Sequence, residues 1–350
     1  MNKEEKYMQR CLELAANGLG NVAPNPLVGA VLVSDEKIIG EGFHKKFGEA
    51  HAEVNAIESF LKSSRNKTGE LSKAALYVNL EPCNHQGKTP PCTELIIKHK
   101  IPRVIIGCAD PNKNVSGNGI EVLRQAGCEV ITGVMEKESL ELNKRFITYH
   151  LKKRPYIILK FAQSRDGFMA PENFVSKEEA WLTNNWSRKL VHKWRSEVQA
   201  VMVGTNTALA DNPLLTTRLW HGKNPVRIVI DKSLRLSPSL NIFNSESRTI
   251  IFNGEKEETK NNLEYIKIDF TYPLEEILHV LYLREIESVL VEGGAVLLSS
   301  FIQKNLWDEA RVFSVNKFFS RGIKAPAIPA HPFSEENIDG DELVVFRNTF

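Results

Sequence analysis

Apolar residues recur along this chain at two alternating spacings. Over residues 4–16, Met8, Cys11, Leu12, Ala15 and Ala16 fall on one side of a helical wheel, which predicts an amphipathic helix. Residues 28–33 and 38–43 are compact apolar runs around the turn Ser34-Asp35-Glu36-Lys37, the pattern of a hairpin. Helical spacing returns at 52–61, 92–99 and 119–126, and strand-like runs occupy 75–80, 103–108 and 128–132. Strands separated by helices imply a sheet with helices on both faces.

Residues 135–154 read as one charged linking helix ending at Lys152-Lys153-Arg154-Pro155. The boundary is expected near 149–154, giving domains 1–149 and 150–350. The alternation then restarts, with strands at 156–162, 199–204, 226–231, 248–252, 265–268, 288–291 and 310–315. Helices are expected near 186–195, 274–284 and 294–303. Ile157-Ile158-Leu159, Ile228-Val229-Ile230 and Val289-Leu290-Val291 are unbroken apolar runs, which suit a parallel sheet buried on both faces. Residues 253–263 and 333–342 are polar and are expected to be surface loops. The fold class is therefore α/β in two domains.

Composition narrows the function classes. The 350 residues are 42% hydrophobic and 25% charged, with a net charge of +2 and no long block of one sign. Neither nucleic acid nor a membrane surface is indicated as a partner. The polar start Met1-Asn2-Lys3-Glu4-Glu5-Lys6 lacks the apolar core of a secretory signal, and no apolar run is long enough to span a bilayer. Five cysteines in a chain of this length do not suggest a disulfide framework, so a reducing cytoplasmic setting is expected.

The chemistry lies in His51-Ala52-Glu53, Glu81-Pro82-Cys83 and Pro90-Pro91-Cys92. One imidazole and two thiolates favour zinc, and three protein ligands leave the fourth tetrahedral position for water. Zinc nucleobase deaminases combine His-x-Glu with Pro-Cys and a second cysteine in this way, the glutamate moving protons rather than binding metal. His51, Cys83 and Cys92 are thus the expected ligands and Glu53 the acid–base. A structural zinc with His44 or His85 as fourth ligand is the alternative. Cys11, Cys108 and Cys128 lie in apolar surroundings and read as core thiols. Eight residues, 84–91, separate the two cysteines, where the usual signature has about two. A longer polar loop bearing His85 and Lys88 can meet a bulkier, phosphorylated substrate. In the second half, Val291-Glu292-Gly293-Gly294-Ala295 closes a strand and opens a helix, a place where amides can hold phosphate.

Asn25-Pro26-x-Val28-Gly29, the two ligand segments and Gly87-Lys88-Thr89-Pro90-Pro91-Cys92 together resemble the bifunctional deaminase–reductases of bacterial riboflavin biosynthesis, from about residue 5 to about residue 320. Lys160, Ser164-x-Asp166-Gly167, Trp181-Leu182-Thr183, Arg195, Gly204-x-x-Thr207, Asp211-Asn212-Pro213 and Val291–Gly294 continue the pattern. The resemblance implies a cytidine-deaminase-like αβα domain followed by a dihydrofolate-reductase-like domain. It also implies zinc and NADPH as cofactors, a phosphorylated pyrimidine as small-molecule substrate, and is compatible with a homo-oligomer. Carried over residue by residue, Ala162, Trp181, Thr207, Asp211 and the segment Gly294, Ala295, Val296, Leu297, Leu298, Ser299 and Ser300 would line the NADPH site. Asn25, His44, Arg195, Leu215, Arg218 and Glu292 would contact substrate, with Arg195 and Arg218 as a phosphate clamp. Lys160 and Asp211 are candidate proton donors for the reduction.

Between Phe168 and Ala180 the chain departs from the family pattern. The segment is longer, Phe168 replaces a basic residue, and Glu179-Ala180 stands where a small hydroxyl residue is common. That departure keeps open a deaminase with an altered second domain. A tRNA-editing deaminase is disfavoured by the low net charge and by the lack of a basic aromatic patch.

Overall fold

The computed structural model describes residues 1–63, 68–86, 90–111, 117–172 and 181–348. The chain divides into two units, Met1–Lys153 and Arg154–Phe350.

The first unit runs α1 (Lys3–Ala16), β1 (Gly29–Ser34), β2 (Lys37–Phe43), α2 (Ala52–Ser63), β3 (Ala75–Leu80), α3 (Cys92–Lys98), β4 (Arg103–Cys108), α4 (Asn118–Gln125), β5 (Glu129–Thr132), α5 (Glu136–Leu142) and α6 (Lys144–Lys152). Its sheet has the order β2-β1-β3-β4-β5. The β1–β2 and β1–β3 pairs are antiparallel and the last two pairs parallel. The two-residue side-chain period sorts the core. Ala30, Leu32, Leu76, Val78, Val104 and Ile106 face α2, α3 and α4, whereas Val31, Val33, Tyr77 and Ile105 face α1. Glycines let α2 lie directly on β2: a Cβ at Gly42 would stand 2.5 Å from the Ala56 amide nitrogen, and one at Gly40 equally close to the Ala56 carbonyl. That close approach places His51 and Glu53, at the start of α2, over the sheet.

The 135–154 stretch corrects the sequence expectation. It is two helices, α5 and α6, meeting at Asn143, rather than one. The Asn143 side chain is turned away to bond the Leu27 backbone; period alone does not reveal such a contact.

The second unit has a ten-stranded sheet. Its elements are β6 (Tyr156–Ser164), β7 (Phe168–Pro171), α7 (Asn185–Glu197), β8 (Ala200–Gly204), α8 (Thr205–Asp211), β9 (Val226–Ile230), β10 (Thr249–Asn253), β11 (Glu258–Lys260), β12 (Leu263–Lys267), α9 (Pro273–Leu283), β13 (Ser288–Val291), α10 (Ala295–Gln303), β14 (Glu309–Val315), β15 (Gly322–Lys324), β16 (Pro332–Ile338) and β17 (Asp341–Arg347). The order is β11-β12-β10-β9-β8-β13-β6-β14-β17-β16, and β7 pairs with β15 in a separate ribbon. From β12 to β14 all pairs are parallel. Ile157, Leu159 and Phe161 pack toward α9 and α10, and Ile158 toward Val191 and Trp194 of α7, so the unbroken apolar runs are buried on both faces as expected.

Both predicted polar loops contain strand. β11 pairs with β12, and β16 with β17. β11 is exposed throughout and β16 almost throughout. Edge strands with little buried face carry no hydrophobic alternation, because their backbone ladder rather than side-chain burial forms them.

Candidate metal centre and second polar cluster

His51 precedes α2, Cys83 lies in the turn after β3, and Cys92 opens α3. Their ligand atoms all fall within 4.8 Å of one another. His51 Nδ1 stands 3.5 Å from Cys83 Sγ and 3.4 Å from Cys92 Sγ. Tetrahedral zinc with ordinary Zn–N and Zn–S bonds separates such atoms by about 3.6 Å, so the donor set fits that ion in type and spacing. Among the described residues no fourth histidine, cysteine or carboxylate joins the group. His85 is exposed, and both ring nitrogens of His44 are engaged elsewhere. The structural-zinc alternative therefore lacks its fourth ligand here.

The turn bearing Cys83 is braced by α3. The Thr93 N–H donates to the Cys83 carbonyl at 3.2 Å, and Thr93 Oγ1 donates to Asn84 Oδ1 at 2.8 Å. Cys83 is held well below the usual thiol range by hydrogen bonds from Cys92 and His51, against burial. The hydrogen bond to Cys83, and then burial, push Cys92 upward. Glu53 is 3% exposed. Burial first, and then the neighbouring Cys83, push its carboxyl up to about 7. A carboxyl near neutrality can both take and return a proton.

Asn25 and His44 are brought together beside the same centre. Asn25 Nδ2 donates to His44 Nε2 at 3.0 Å, and His44 Nδ1 donates to the Ala50 carbonyl at 3.0 Å. An amide nitrogen only donates and a carbonyl only accepts, so these partners set the tautomer. Burial lowers the His44 pKa, which favours the neutral ring this pairing needs. The His44 and His51 rings meet edge to face, 5.4 Å between centroids. Lys88 lies outside the described residues, as does most of the 168–180 departure, including Glu179 and Ala180.

In the second unit, the C-terminal ends of β8 and β13, the usual place for a ligand crevice in an α/β sheet, lie beside the middle of β6. They bring Gly204, Glu292 and Lys160 together. Burial lowers the Lys160 pKa, opposed by Glu292. Asp211, at the end of α8, acts on Lys160 in the same sense as Glu292, so the two proposed donors are electrostatic neighbours. Thr207 on α8 faces Gly294, where a Cβ would lie 3.0 Å from Thr207 Oγ1.

Two expectations change. Arg195 is turned onto Glu292 in a two-pronged ion pair, with Nε to Oε1 at 2.6 Å and Nη2 to Oε2 at 2.7 Å; its Nη1 donates to the Thr216 carbonyl at 3.1 Å. Both partners are nearly buried, at 11% and 9% side-chain exposure. Arg195 is therefore already engaged by a carboxylate, while exposed Arg218 remains its electrostatic neighbour. Residues 294–300 do not line one surface. Leu298 is a core side chain and Val296 is exposed, because a helix distributes successive residues around its axis. What α10 offers an anion is its amide end at Gly294 and Ala295.

Ala162 is half-buried on β6. Leu215 is buried and has a positive φ of 53°. Arg227, fully buried, donates to the Leu214 carbonyl at 2.9 Å and so secures that bend. The sequence reading missed Arg227, as it missed His192, which is buried on α7 with Nδ1 unpaired. A basic aromatic surface, not expected from sequence, also forms around α7. Arg188 stacks on Trp181 at 4.4 Å, Lys189 on Trp186 at 4.6 Å and Lys193 on Trp220 at 5.8 Å. All but Trp220 lie within residues 181–193, mostly on α7.

Residues 1–108 match the cytidine and deoxycytidylate deaminase zinc-binding region, and residues 155–329 the RibD C-terminal domain. The chain is 40% identical to riboflavin biosynthesis protein RibD of Aquifex aeolicus, covering 98% of both chains. It is 36% identical to the Escherichia coli protein of the same name, over 92% of this chain and 90% of that one. It also resembles the crystal structure of a diaminohydroxyphosphoribosylaminopyrimidine deaminase/5-amino-6-(5-phosphoribosylamino)uracil reductase from Thermotoga maritima. That pair share 43% identity and a TM-score of 0.89, covering 99% of this chain and 98% of that one.

Proposed function

The chain belongs to the RibD family, and from that membership and its geometry we propose that its first unit is the deaminase and its second the reductase of one bifunctional riboflavin-pathway enzyme. Such an enzyme is a zinc-dependent hydrolase and an NADPH-dependent oxidoreductase. No helix among the described residues is long and apolar enough to cross a membrane, and we take the cytoplasm as its place of action.

The observation that carries the first half is the convergence of His51 Nδ1 and the two Sγ atoms beside the buried carboxyl of Glu53. When bound there, zinc lowers the pKa of water and makes a nucleophile available near neutral pH. Glu53 takes the proton of that water and returns it to the departing amine. Asn25 and His44 meet the ring of 2,5-diamino-6-ribosylamino-4(3H)-pyrimidinone 5′-phosphate. Its 2-amino group leaves as ammonia, and the carbonyl oxygen that replaces it comes from water.

In the second half, NADPH supplies the hydride that converts the ribosyl group to ribityl. The chain's part is placement. Ala162, Trp181, Thr207, Asp211 and the amide end of α10 hold the cofactor, while Leu215, Arg218 and the Arg195–Glu292 pair border the sugar phosphate. Half-buried Lys160 and Asp211, which acts on it, are the groups we assign to the accompanying proton.

Ammonia release and NADPH oxidation, followed together on the phosphorylated diaminopyrimidine, test this reading. Ammonia should appear first, and NADPH should be consumed only afterwards. Ammonia without NADPH oxidation would confine the activity to the first unit. Neither signal, from protein carrying one equivalent of zinc, would refute the substrate assignment.

A further inference from the structure

Asn143 lies outside both matched regions, yet it reaches the loop that carries Asn25. The Leu27 N–H donates to Asn143 Oδ1 at 2.8 Å, and Asn143 Nδ2 donates to the Leu27 carbonyl at 3.0 Å. One carboxamide thus satisfies both polar backbone groups of one residue. The Leu27 carbonyl takes a second bond from Asn79 Nδ2 at 3.0 Å, and the Gly29 N–H donates to Asn79 Oδ1 at 2.8 Å. Asn143 is 2% exposed and Asn79 fully buried. Leu142 packs against the cluster that contains Leu27.

An asparagine between two helices is ordinarily explained as a cap. Here the Asn143 side chain makes no capping bond to α6, so it serves Leu27 and not the helix it precedes. We propose that Asn143 is a positioning residue of the deamination, acting through the Leu27 backbone to hold Asn25 against the substrate ring. This rests on the reading of Asn25 as a substrate contact.

The path is short. Only Pro26 separates Leu27 from Asn25, and the proline ring restricts φ, so displacement at Leu27 is passed on. Asn25 bonds His44, whose own N–H donates to the Val28 carbonyl at 2.9 Å and whose ring donates to Ala50, next to His51. Asn143 is therefore an outer brace of the wall beside the metal ligands, supplied from a part of the chain distant in sequence.

The test compares Asn143→Ala, Asn25→Ala and the double variant in the full chain. Zinc content is measured in each, and reductase turnover on the deaminated intermediate serves as an internal gauge of folding. Asn143→Ala should raise the deaminase KM on the order of tenfold or more, with zinc and reductase turnover retained. The double variant should be no worse than Asn25→Ala alone. An unchanged KM in Asn143→Ala, fully multiplicative effects in the double variant, or equal loss of zinc and both activities would overturn the proposal. Asn25→Ala with a normal KM would instead refute the Asn25 reading, and the proposed route with it. If Asn143→Ala does not accumulate, Asn143→Asp keeps an acceptor for the Leu27 N–H but sets a carboxylate oxygen, which cannot donate, against the Leu27 carbonyl. It should show the same split between a raised deaminase KM and retained zinc and reductase turnover, and a normal KM there would equally overturn the proposal.

Discussion

The zinc-site groups of the first unit come from one stretch, 51–92, and their donor atoms already meet at one point. The groups proposed for the reductase site of the second unit come from β6, α7, α8, the turn after β13 and α10, and two expected to touch substrate, Arg195 and Glu292, are bonded to each other. A metal site requires particular donor atoms at fixed separations, and residue type largely announces it. A site for a large cofactor relies on amide ends, shape and a few charges, so residue type alone says less about which side chains face inward.

The largest expected effect tests the local character of the first site. Cys83→Ser should lose zinc and reduce ammonia release to background, while reductase turnover on the deaminated intermediate persists. Metal analysis and the two separate assays check this, and loss of both activities would mean that the halves are not independent. Next in size, Glu53→Gln should keep zinc and lose deamination by at least ~10²-fold. Near-normal ammonia release would remove Glu53 from its assigned role.

In the second unit, Glu292→Gln leaves the nearly buried Arg195 without its charge partner. Breaking a buried pair costs about 3–5 kcal/mol, so thermal unfolding should show a destabilised transition that leaves the zinc-bearing unit intact. An unchanged transition would mean that the pair is solvated in solution.

A smaller effect follows from His192. Burial, and then the Arg195 and Arg218 guanidiniums, lower its pKa from 6.5 to about 4. Between those values the unfolded chain binds a proton that the folded ring refuses. Stability of the second unit should therefore rise with pH across that window and level off above it. His192→Gln should flatten the rise in urea midpoints measured from pH 4 to 7; an unaltered slope would assign it to other groups.

Smallest of all is Cys128→Ser. Cys128 Sγ bonds the Ile101 carbonyl at 3.3 Å, away from the ligand group. Zinc and both activities should be kept, with stability altered by about 1 kcal/mol or less.

Legibility followed sequence range. The alternation of helices and strands could be read because side-chain period is a local property. The edge strands β11 and β16 could not, since their partners rather than their own pattern form them. His51, Glu53, Cys83 and Cys92 could be read because few donor sets suit zinc, and the structure places all four together. The core position of Leu298 and the pairing of Arg195 with Glu292 could not be read, because a matching motif identifies a position without giving its orientation.

By itself, then, the sequence determined the main buried strands and the long helices between them, and the ligand chemistry, which depend on spacing and atom type. Tertiary structure alone decided that Arg195 bonds Glu292, that His44 bonds Asn25, and that Asn143 interrupts a helix to hold Leu27. The last pair lie 116 positions apart. Burial makes such contacts obligatory, because an unpaired polar group in the interior is costly, but the partner each group finds is set by which elements the fold packs together.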